Sequence, residues 1–325
     1  MATIKDVAKE TGLAVGTVSR VLNGRGYISE DTKAKVEEAM KKLNYHPNDV
    51  ASSLSKQSSN TIGLIVPHIR HPYFAEIISA IENQSYKNQY KVLIFNTQEK
   101  DDRQWEYLEM CSRNRVAGVI LCSGNVDSLK FEGLNVPLIS VECEVKNGTA
   151  SINCDNLNGG KIAANHLIDK GCNHLIHISG IKDTSMPADL RATGFSQICQ
   201  ENNKDYKIVS SSSKEYDTMD YHSHIKQILE QNPLTDGIFA SSDLIALQVI
   251  QVCNNLGKRV PQDIKVIGFD DTYIARLVTP ELTTIHQPID LIAQKAVELL
   301  IKAVNNQEVP TKTILDVELR ERKTT

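Results

Sequence analysis

Apolar side chains recur with helical spacing along the first forty-odd residues. Ile4, Val7, Ala8 and Thr11 fall at i, i+3, i+4 and i+7, one face of a helix. Thr3 and Asp6 have capping-box spacing at its start, with Thr3 as N-cap. Gly12 stops that helix and permits a tight turn. A second helix is predicted from about Val15 to Asn23, turning Val18, Val21 and Leu22 inward. A third runs from Ser29 to about Leu43; Val36, Ala39, Met40 and Leu43 form its stripe, and Lys33, Lys35, Lys41 and Lys42 its outer face. This head, 1–46, stops before Pro47. In the next segment, 47–60, Asn48 precedes Val50, Ala51 and Leu54 on one face of a serine-rich stretch. It is too short to hold a helix by itself, so it is either a plain linker or a segment that folds when something supports it.

From Thr61 on, short apolar runs alternate with amphipathic stretches. Strands are predicted at 62–66, 91–95, 116–122, 136–142, 175–179, 207–210, 237–241 and 264–269, the last closing the series. Between them helices are predicted at 73–88, 103–114, 159–170, 189–201, 220–231 and 244–256. Near-continuous apolar strands separated by amphipathic helices indicate parallel sheets covered on both faces. The length of this region suits two α/β lobes, 61–158 with 289–318 and 159–288 with 319–325. Ligands in such folds bind beyond the carboxyl ends of the strands.

Composition adds limits. The 325 residues suit two or three domains, and 41% of them are hydrophobic, enough for an ordinary core. No apolar run is long enough for a membrane span, and the N-terminus has no signal-peptide pattern, which makes cytoplasmic residence the expectation. The 7 cysteines are scattered without a C-x-x-C, so neither a disulfide framework nor a zinc site is expected; Cys172, His174 and His177 read as loop and strand residues. The net charge is −4, but residues 1–58 carry nine basic against seven acidic side chains, and the remainder 27 against 33. A mildly basic head on an acidic body suits a protein that meets phosphate at one end.

Two short helices joined by a glycine-containing turn form a helix-turn-helix candidate, whose second helix would sit in the major groove. Val15, Gly16 and Arg20 would face base edges, Arg20 pairing with guanine. Thr17, Ser19, Asn23, Ser29 and Thr32 suit phosphate oxygens. The pattern alone serves equally a plain three-helix bundle with Arg20 solvated. At the predicted strand ends stand His68, Arg70, Tyr73, Phe74, Cys122, Glu142, Asp155, Ser241, Ser242, Asp243 and Asp270, with Arg191 opening a helix and Gln287 after a further strand-like run. A carboxylate and a guanidinium in one cleft suit sugar hydroxyls, and Tyr73 or Phe74 could stack on the sugar. Asp155, Asp243 and Asp271 precede or open helices and read first as caps. There is no G-x-S-x-G, P-loop or strand-following G-x-G-x-x-G, so an enzyme is not expected, nor any cofactor or metal.

Ile4-Lys5-Asp6-Val7-Ala8-Lys9-Glu10-Thr11-Gly12-Leu13 and Thr17-Val18-Ser19-Arg20-Val21-Leu22-Asn23 closely resemble the helix-turn-helix of the LacI family of bacterial repressors. Ser29-x-x-Thr32, Val36-Glu37-Glu38-Ala39-Met40 and Leu43-Asn44-Tyr45-x-Pro47-Asn48 continue the pattern. In the body, Asp155-Asn156-x-x-Gly159-Gly160, Arg191-x-x-Gly194-Phe195, Ser242-Asp243 and Val266-Ile267-Gly268-Phe269-Asp270-Asp271 are similar to the family's effector-domain landmarks, so the resemblance spans the chain.

The resemblance implies a helix-turn-helix head on a periplasmic-binding-protein-like body. It implies a homodimer on double-stranded, palindromic operator DNA, with Thr3 and Tyr27 among the DNA contacts. It further implies that Asn48-x-Val50-Ala51-x-x-Leu54 is a hinge helix, paired with its twin in the minor groove with Leu54 as the wedge. Arg191 and Asp270 stand where relatives hold the effector, Ser242 where many have a polar contact, and Asp189, Cys122, Glu142 and Gln287 join by position. Where the family opens its recognition helix with Ser or Thr, this chain has Ala14, and Gly16 leaves a base-reading position without a side chain. Asp183-Thr184-Ser185-Met186-Pro187 and Tyr107-Leu108-Glu109-Met110 are most like Gram-positive sugar-operon repressors, sucrose-type in particular. The function implied is repression of a carbohydrate operon, relieved by a small sugar or sugar phosphate. The alternatives are control by a non-sugar corepressor or protein partner, and a sugar-binding transport module. No leucine heptad follows Leu319, so a dimer without a tetramerising tail is expected.

Overall fold

The computed structural model describes residues 2–22, 27–45, 59–98, 100–122, 136–145, 147–181 and 186–325. Asn23, Asn48, Ala51 and Leu54 of the expected hinge, and Asp183, Thr184 and Ser185 lie outside the described residues. The chain divides into two compact units, Met1–Ser59 and Asn60–Thr325.

In the first unit, α1 (Ile4–Thr11), α2 (Val15–Leu22) and α3 (Glu30–Lys42) pack around Val7, Ala8, Val18, Val36 and Ala39. Taking a valine such as Val18 fully out of water contributes about 1.5 kcal/mol or more. The backbone N and the hydroxyl of Thr3 both donate to Asp6 Oδ2, at 2.8 and 2.7 Å, closing the start of α1. Gly12 ends it at φ +71°, a left-handed conformation that glycine adopts without steric cost. Ser29 caps α3 by accepting from Thr32 N at 3.3 Å.

The second unit holds two six-stranded sheets. The first runs β11 (Lys312–Leu315), β5 (Ala150–Cys154), β4 (Leu138–Val141), β3 (Gly118–Leu121), β1 (Thr61–Val66), β2 (Lys91–Asn96), all neighbours parallel. The second runs β12 (Glu318–Arg320), β10 (Thr283–His286), β9 (Lys265–Asp270), β8 (Gly237–Ala240), β6 (His174–Ile181), β7 (Asp205–Ser211), parallel except for β12. Helices α4 (Pro72–Lys87), α5 (Asp101–Arg113) and α12 (Ile289–Val304) accompany the first sheet; α12 packs on α4 and on β3, β4 and β5. With the second sheet go α6 (Asn156–Asp169), α7 (Leu190–Glu201), α8 (Ser213–Thr218), α9 (His222–Gln231), α10 (Asp243–Asn255) and α11 (Ile274–Leu277). The chain passes between the sheets after β5, after β10 and after β11.

The alternation does not close at 264–269. The chain goes on through α11, β10, α12, β11 and β12, and β5 and α8 lie where the periodicity predicts no element. Ser151 and Asn153 break the apolar run of β5, and the edge strands β11 and β12 alternate exposed with half-buried residues, so neither looks like a buried strand. No described helix is long and apolar enough to cross a membrane.

In each sheet one strand is followed in space by neighbours on opposite sides: β1 lies between β2 and β3, β6 between β7 and β8. Connections leave such a strand in opposite directions and open a crevice at its carboxyl end.

Candidate functional site

A cavity of about 180 Å³ opens between the lobes at those carboxyl ends. Tyr73 and Phe74, in the first turn of α4, Cys122 after β3 and Glu142 after β4 line it from one lobe. Asp189 and Arg191 at the start of α7, Ser242 after β8 and Asp270 ending β9 line it from the other, with Gln287 at a crossing. The nine residues expected at the effector site therefore line one cavity, while His68, Arg70, Asp155 and Asp243, also at predicted strand ends, do not line it. His71, Met186, Tyr216, Tyr221, Ser241 and Ile245 also line it. Of these only Ser241 and Met186 lay in stretches that the sequence marked; Tyr216 and Tyr221 come from α8 and the turn before α9, where nothing in the local pattern points to a site.

The motifs around Arg191 are a packing device. A Cβ on Gly160 would stand 2.1 Å from Arg191 O, and one on Gly194 2.0 Å from Leu157 O, so α6 and α7 touch backbone to backbone. A Cβ on Gly159 would meet the Phe269 ring at 2.7 Å. That ring is the platform under Arg191, whose guanidinium carbon lies 3.5 Å from its centroid. Arg191 Nε donates to Asn156 Oδ1 at 2.7 Å and Nη1 to Ser241 O at 2.6 Å. Its Nη2 stands 3.8 Å from Glu142 Oε2. Glu142 in turn accepts from Asn156 Nδ2 at 3.0 Å and from Cys154 N, tying the end of β4 to the first crossing between lobes. Two further contacts bridge the lobes: the His68 and Tyr216 rings, 5.0 Å apart, and Tyr273 N donating to Glu76 Oε1 at 2.6 Å.

Several polar groups serve the scaffold. Ser242 Oγ caps α10 by accepting from Ile245 N at 3.3 Å, and Asp189 Oδ2 accepts from Met186 N at 3.0 Å. Asp155 caps α6 through Asn158 N at 2.9 Å. Asp243 and Asp271, read first as caps, are not caps. Asp243 is buried and receives Thr272 N, Thr272 Oγ1 and Thr284 Oγ1 at 2.7, 2.9 and 2.5 Å. Asp271 pairs with His286 at 3.0 Å and with Arg322. Ser242, one residue earlier, takes the cap, which frees the Asp243 carboxylate to bridge β9 and β10. Cys172 donates to Asp236 O, His174 pairs with Asp205, and His177 is buried in β6 against Phe239, so these three serve separate local contacts.

Other atoms at the wall are left open. Gln287 Nε2 donates to Asp270 Oδ1 at 2.7 Å, while Gln287 Oε1, Tyr73 Oη and His71 Nδ1 are buried without a partner among the described residues. Unpaired buried groups cost stability, so their concentration at one cavity points to a ligand that completes them. Glu142 and Asp270 hold φ of +53° and +112°, conformations costing about 1–3 kcal/mol outside glycine and found at functional sites. Burial pushes the Asp270 and Asp243 carboxyls up, helped at Asp270 by the Asp243 charge and at Asp243 by the Asp271 charge, and burial raises the Tyr73 phenol. Burial also pushes the Cys122 thiol up to about 12, keeping it protonated, and lowers His71 to about 4, keeping it neutral.

In the head, α2 presents Val15, 41% exposed, with Gly16 and Arg20 exposed beside it, while Val18 faces the core. Thr17 and Ser19 are half-buried, Thr3, Ser29 and Tyr27 are exposed, and Thr32 is half-buried. Thr3, Ser29 and Thr32 are engaged in helix capping, and the described head residues therefore offer one exposed basic side chain, Arg20, on the face of α2.

Residues 3–48 match the family described as bacterial regulatory proteins, lacI family, and residues 164–325 match the periplasmic binding protein-like domain. The sucrose operon repressor of Streptococcus mutans serotype c is 38% identical over 319 residues, covering 98% of each chain. The ribose operon repressor of Halalkalibacterium halodurans is 34% identical over 322 residues, covering 97% of this chain and 96% of the relative. Among solved structures, a lac repressor dimer bound to operator and the anti-inducer ONPF superposes with a TM-score of 0.87 at 26% identity, over 99% of this chain and 98% of that one.

Proposed function

The chain belongs to the lacI family of bacterial regulatory proteins, and on that premise we propose that it represses a carbohydrate-utilisation operon, of sucrose type by preference. It binds a palindromic operator as a homodimer in the cytoplasm and is released by a small sugar or sugar phosphate. The observation that carries this reading is the interlobe cavity, where Tyr73, Gln287 and His71 keep unpaired polar atoms beside Arg191 and Asp270.

Val15, Gly16 and Arg20 read bases in the major groove, and Thr3, Thr17, Ser19, Tyr27, Ser29 and Thr32 hold the backbone. The cavity residues Tyr73, Phe74, Cys122, Glu142, Asp189, Arg191, Ser242, Asp270 and Gln287 form the effector wall. A ligand there binds one lobe arrangement better than another. A coupling of about 1–3 kcal/mol changes operator affinity roughly 5–150-fold, and operator changes ligand affinity by the same factor.

Binding to inverted-repeat and random duplexes, at stepped salt and with or without sugars, tests this. The expected result is salt-dependent preference for an inverted repeat, weakened by a sugar. Equal binding to random DNA rejects the repressor, and tighter binding with sugar rejects the inducer.

A further inference from the structure

We infer that the cavity takes an uncharged, hydroxyl-rich sugar and excludes the phosphate esters of that sugar; this rests on the reading of the cavity as an effector site. Among the described residues, its wall carries three carboxyl groups, Glu142, Asp189 and Asp270, of which burial holds Asp270 toward its neutral form, against one guanidinium, Arg191. A phosphate is recognised by free N–H donors backed by surplus positive charge, most often a forked arginine. Arg191 keeps N–H groups but brings no surplus charge here. Asn156 and Ser241 each take one N–H, from Nε and Nη1, the Glu142 carboxylate stands 3.8 Å from Nη2 and offsets the charge, and Phe269 covers one face. The other basic ring at the wall, His71, is neutral because it is buried.

The atoms left open have the opposite preference. Gln287 spends its amide N–H on Asp270, so the unpaired Oε1 can only accept. The second oxygen of Asp189 also accepts, whereas Asp270, held toward its neutral form by burial, can give one hydrogen bond from its second oxygen. Tyr73 Oη, buried and unpaired, can give or take one hydrogen bond. A wall that both accepts and gives hydrogen bonds, with no surplus positive charge, suits a ligand whose groups do both without adding charge, and sugar hydroxyls do so. A protonated amine would supply donors too, but it would face the Arg191 charge and a carboxyl, Asp270, that burial holds toward its neutral form.

Calorimetry and operator release on the full-length protein test this with matched pairs: fructose and its 1- and 6-phosphates, glucose and its 6-phosphate, ribose and its 5-phosphate, sucrose and its 6-phosphate, with glucosamine beside glucose. In the pair that responds, the free sugar should bind at least about 10-fold more tightly than its ester. Asp189→Asn should narrow that ratio, because it removes a charge and keeps the shape. A phosphate ester or glucosamine that binds more tightly than its parent sugar overturns the inference and leaves the effector site standing. If Asp189→Asn weakens sugar and ester equally, wall charge is not what discriminates and the inference falls. If no sugar or ester binds or releases operator, the effector reading falls with it.

Discussion

Gly160 and Arg191 meet so closely that a side-chain carbon at position 160 would stand 2.1 Å from the Arg191 carbonyl oxygen. The only atom that can occupy that gap is a hydrogen. Gly160→Ala must therefore push α7 off α6 and carry Arg191 away from Asn156 and the Phe269 ring. The expected cost in stability is about 1–3 kcal/mol or more, as for other overpacked sites. Urea denaturation should show it, and the variant should lose its response to effector. Unchanged stability would show that the helices slide without strain.

Tyr73→Phe separates a ligand contact from a structural one. The Tyr73 hydroxyl is buried without a partner, so deleting it should leave the unliganded protein as stable or up to about 1 kcal/mol more stable. Effector affinity should fall about 10-fold, the worth of one hydrogen bond. A loss of stability in the absence of ligand would mean that the hydroxyl is already paired.

His71 sets a pH window. Burial lowers it from 6.5 to about 4, so its contribution to stability is fully present above pH 6.5 and is lost as pH falls toward 4. Between pH 7.5 and 4.5 the wild type should lose about 2–3 kcal/mol relative to His71→Gln, which does not titrate. Parallel stability curves for the two proteins would place His71 in solvent.

Ala14 precedes α2 and offers no side-chain acceptor to the backbone N–H groups of that first turn. Ala14→Ser should raise the stability of the head by about 1 kcal/mol, read from thermal unfolding of the full chain followed in its first transition. No gain would mean that the turn cannot take the cap geometry.

Arg20 is the exposed basic side chain on α2. Arg20→Ala should cost about 1–3 kcal/mol of operator affinity and relax preference at one base pair. A uniform loss across all duplexes, with a shallower salt slope, would make it a phosphate contact instead.

The head was legible almost to the residue, because its signals are local. The Thr3–Asp6 box, the Gly12 stop and the start of α3 at Ser29 depend on at most four positions of chain, and each stands where the pattern placed it; the structure adds that the Ser29 hydroxyl caps that helix. Eight of the nine cavity residues stood at or just after predicted strand ends, which share one rim in a parallel sheet, and Asp189 came from the family resemblance; His68, Arg70, Asp155 and Asp243, read from the same ends, fall outside the cavity. His71, Tyr216 and Tyr221 were not legible, because what brings them to that rim is a helix turn or a short helix meeting it from the side. Asp243 shows the same limit. Its position beside a helix start suggests a cap, yet its carboxylate reaches Thr272 and Thr284, 29 and 41 residues away.

Periodicity, turn residues and motif spacing determined the head helices and the buried strands and amphipathic helices between Thr61 and Phe269, β5 and α8 excepted, since each depends on neighbours a few residues apart. Only the tertiary structure decided how each polar group is spent. Arg191 belongs to Asn156, Ser241, Glu142 and Phe269 because four separate elements converge on it. Gln287 and Tyr73 keep open atoms because none of the described residues reaches them. A hydrogen bond depends on ångström distances between segments far apart in sequence, and no local pattern encodes those distances.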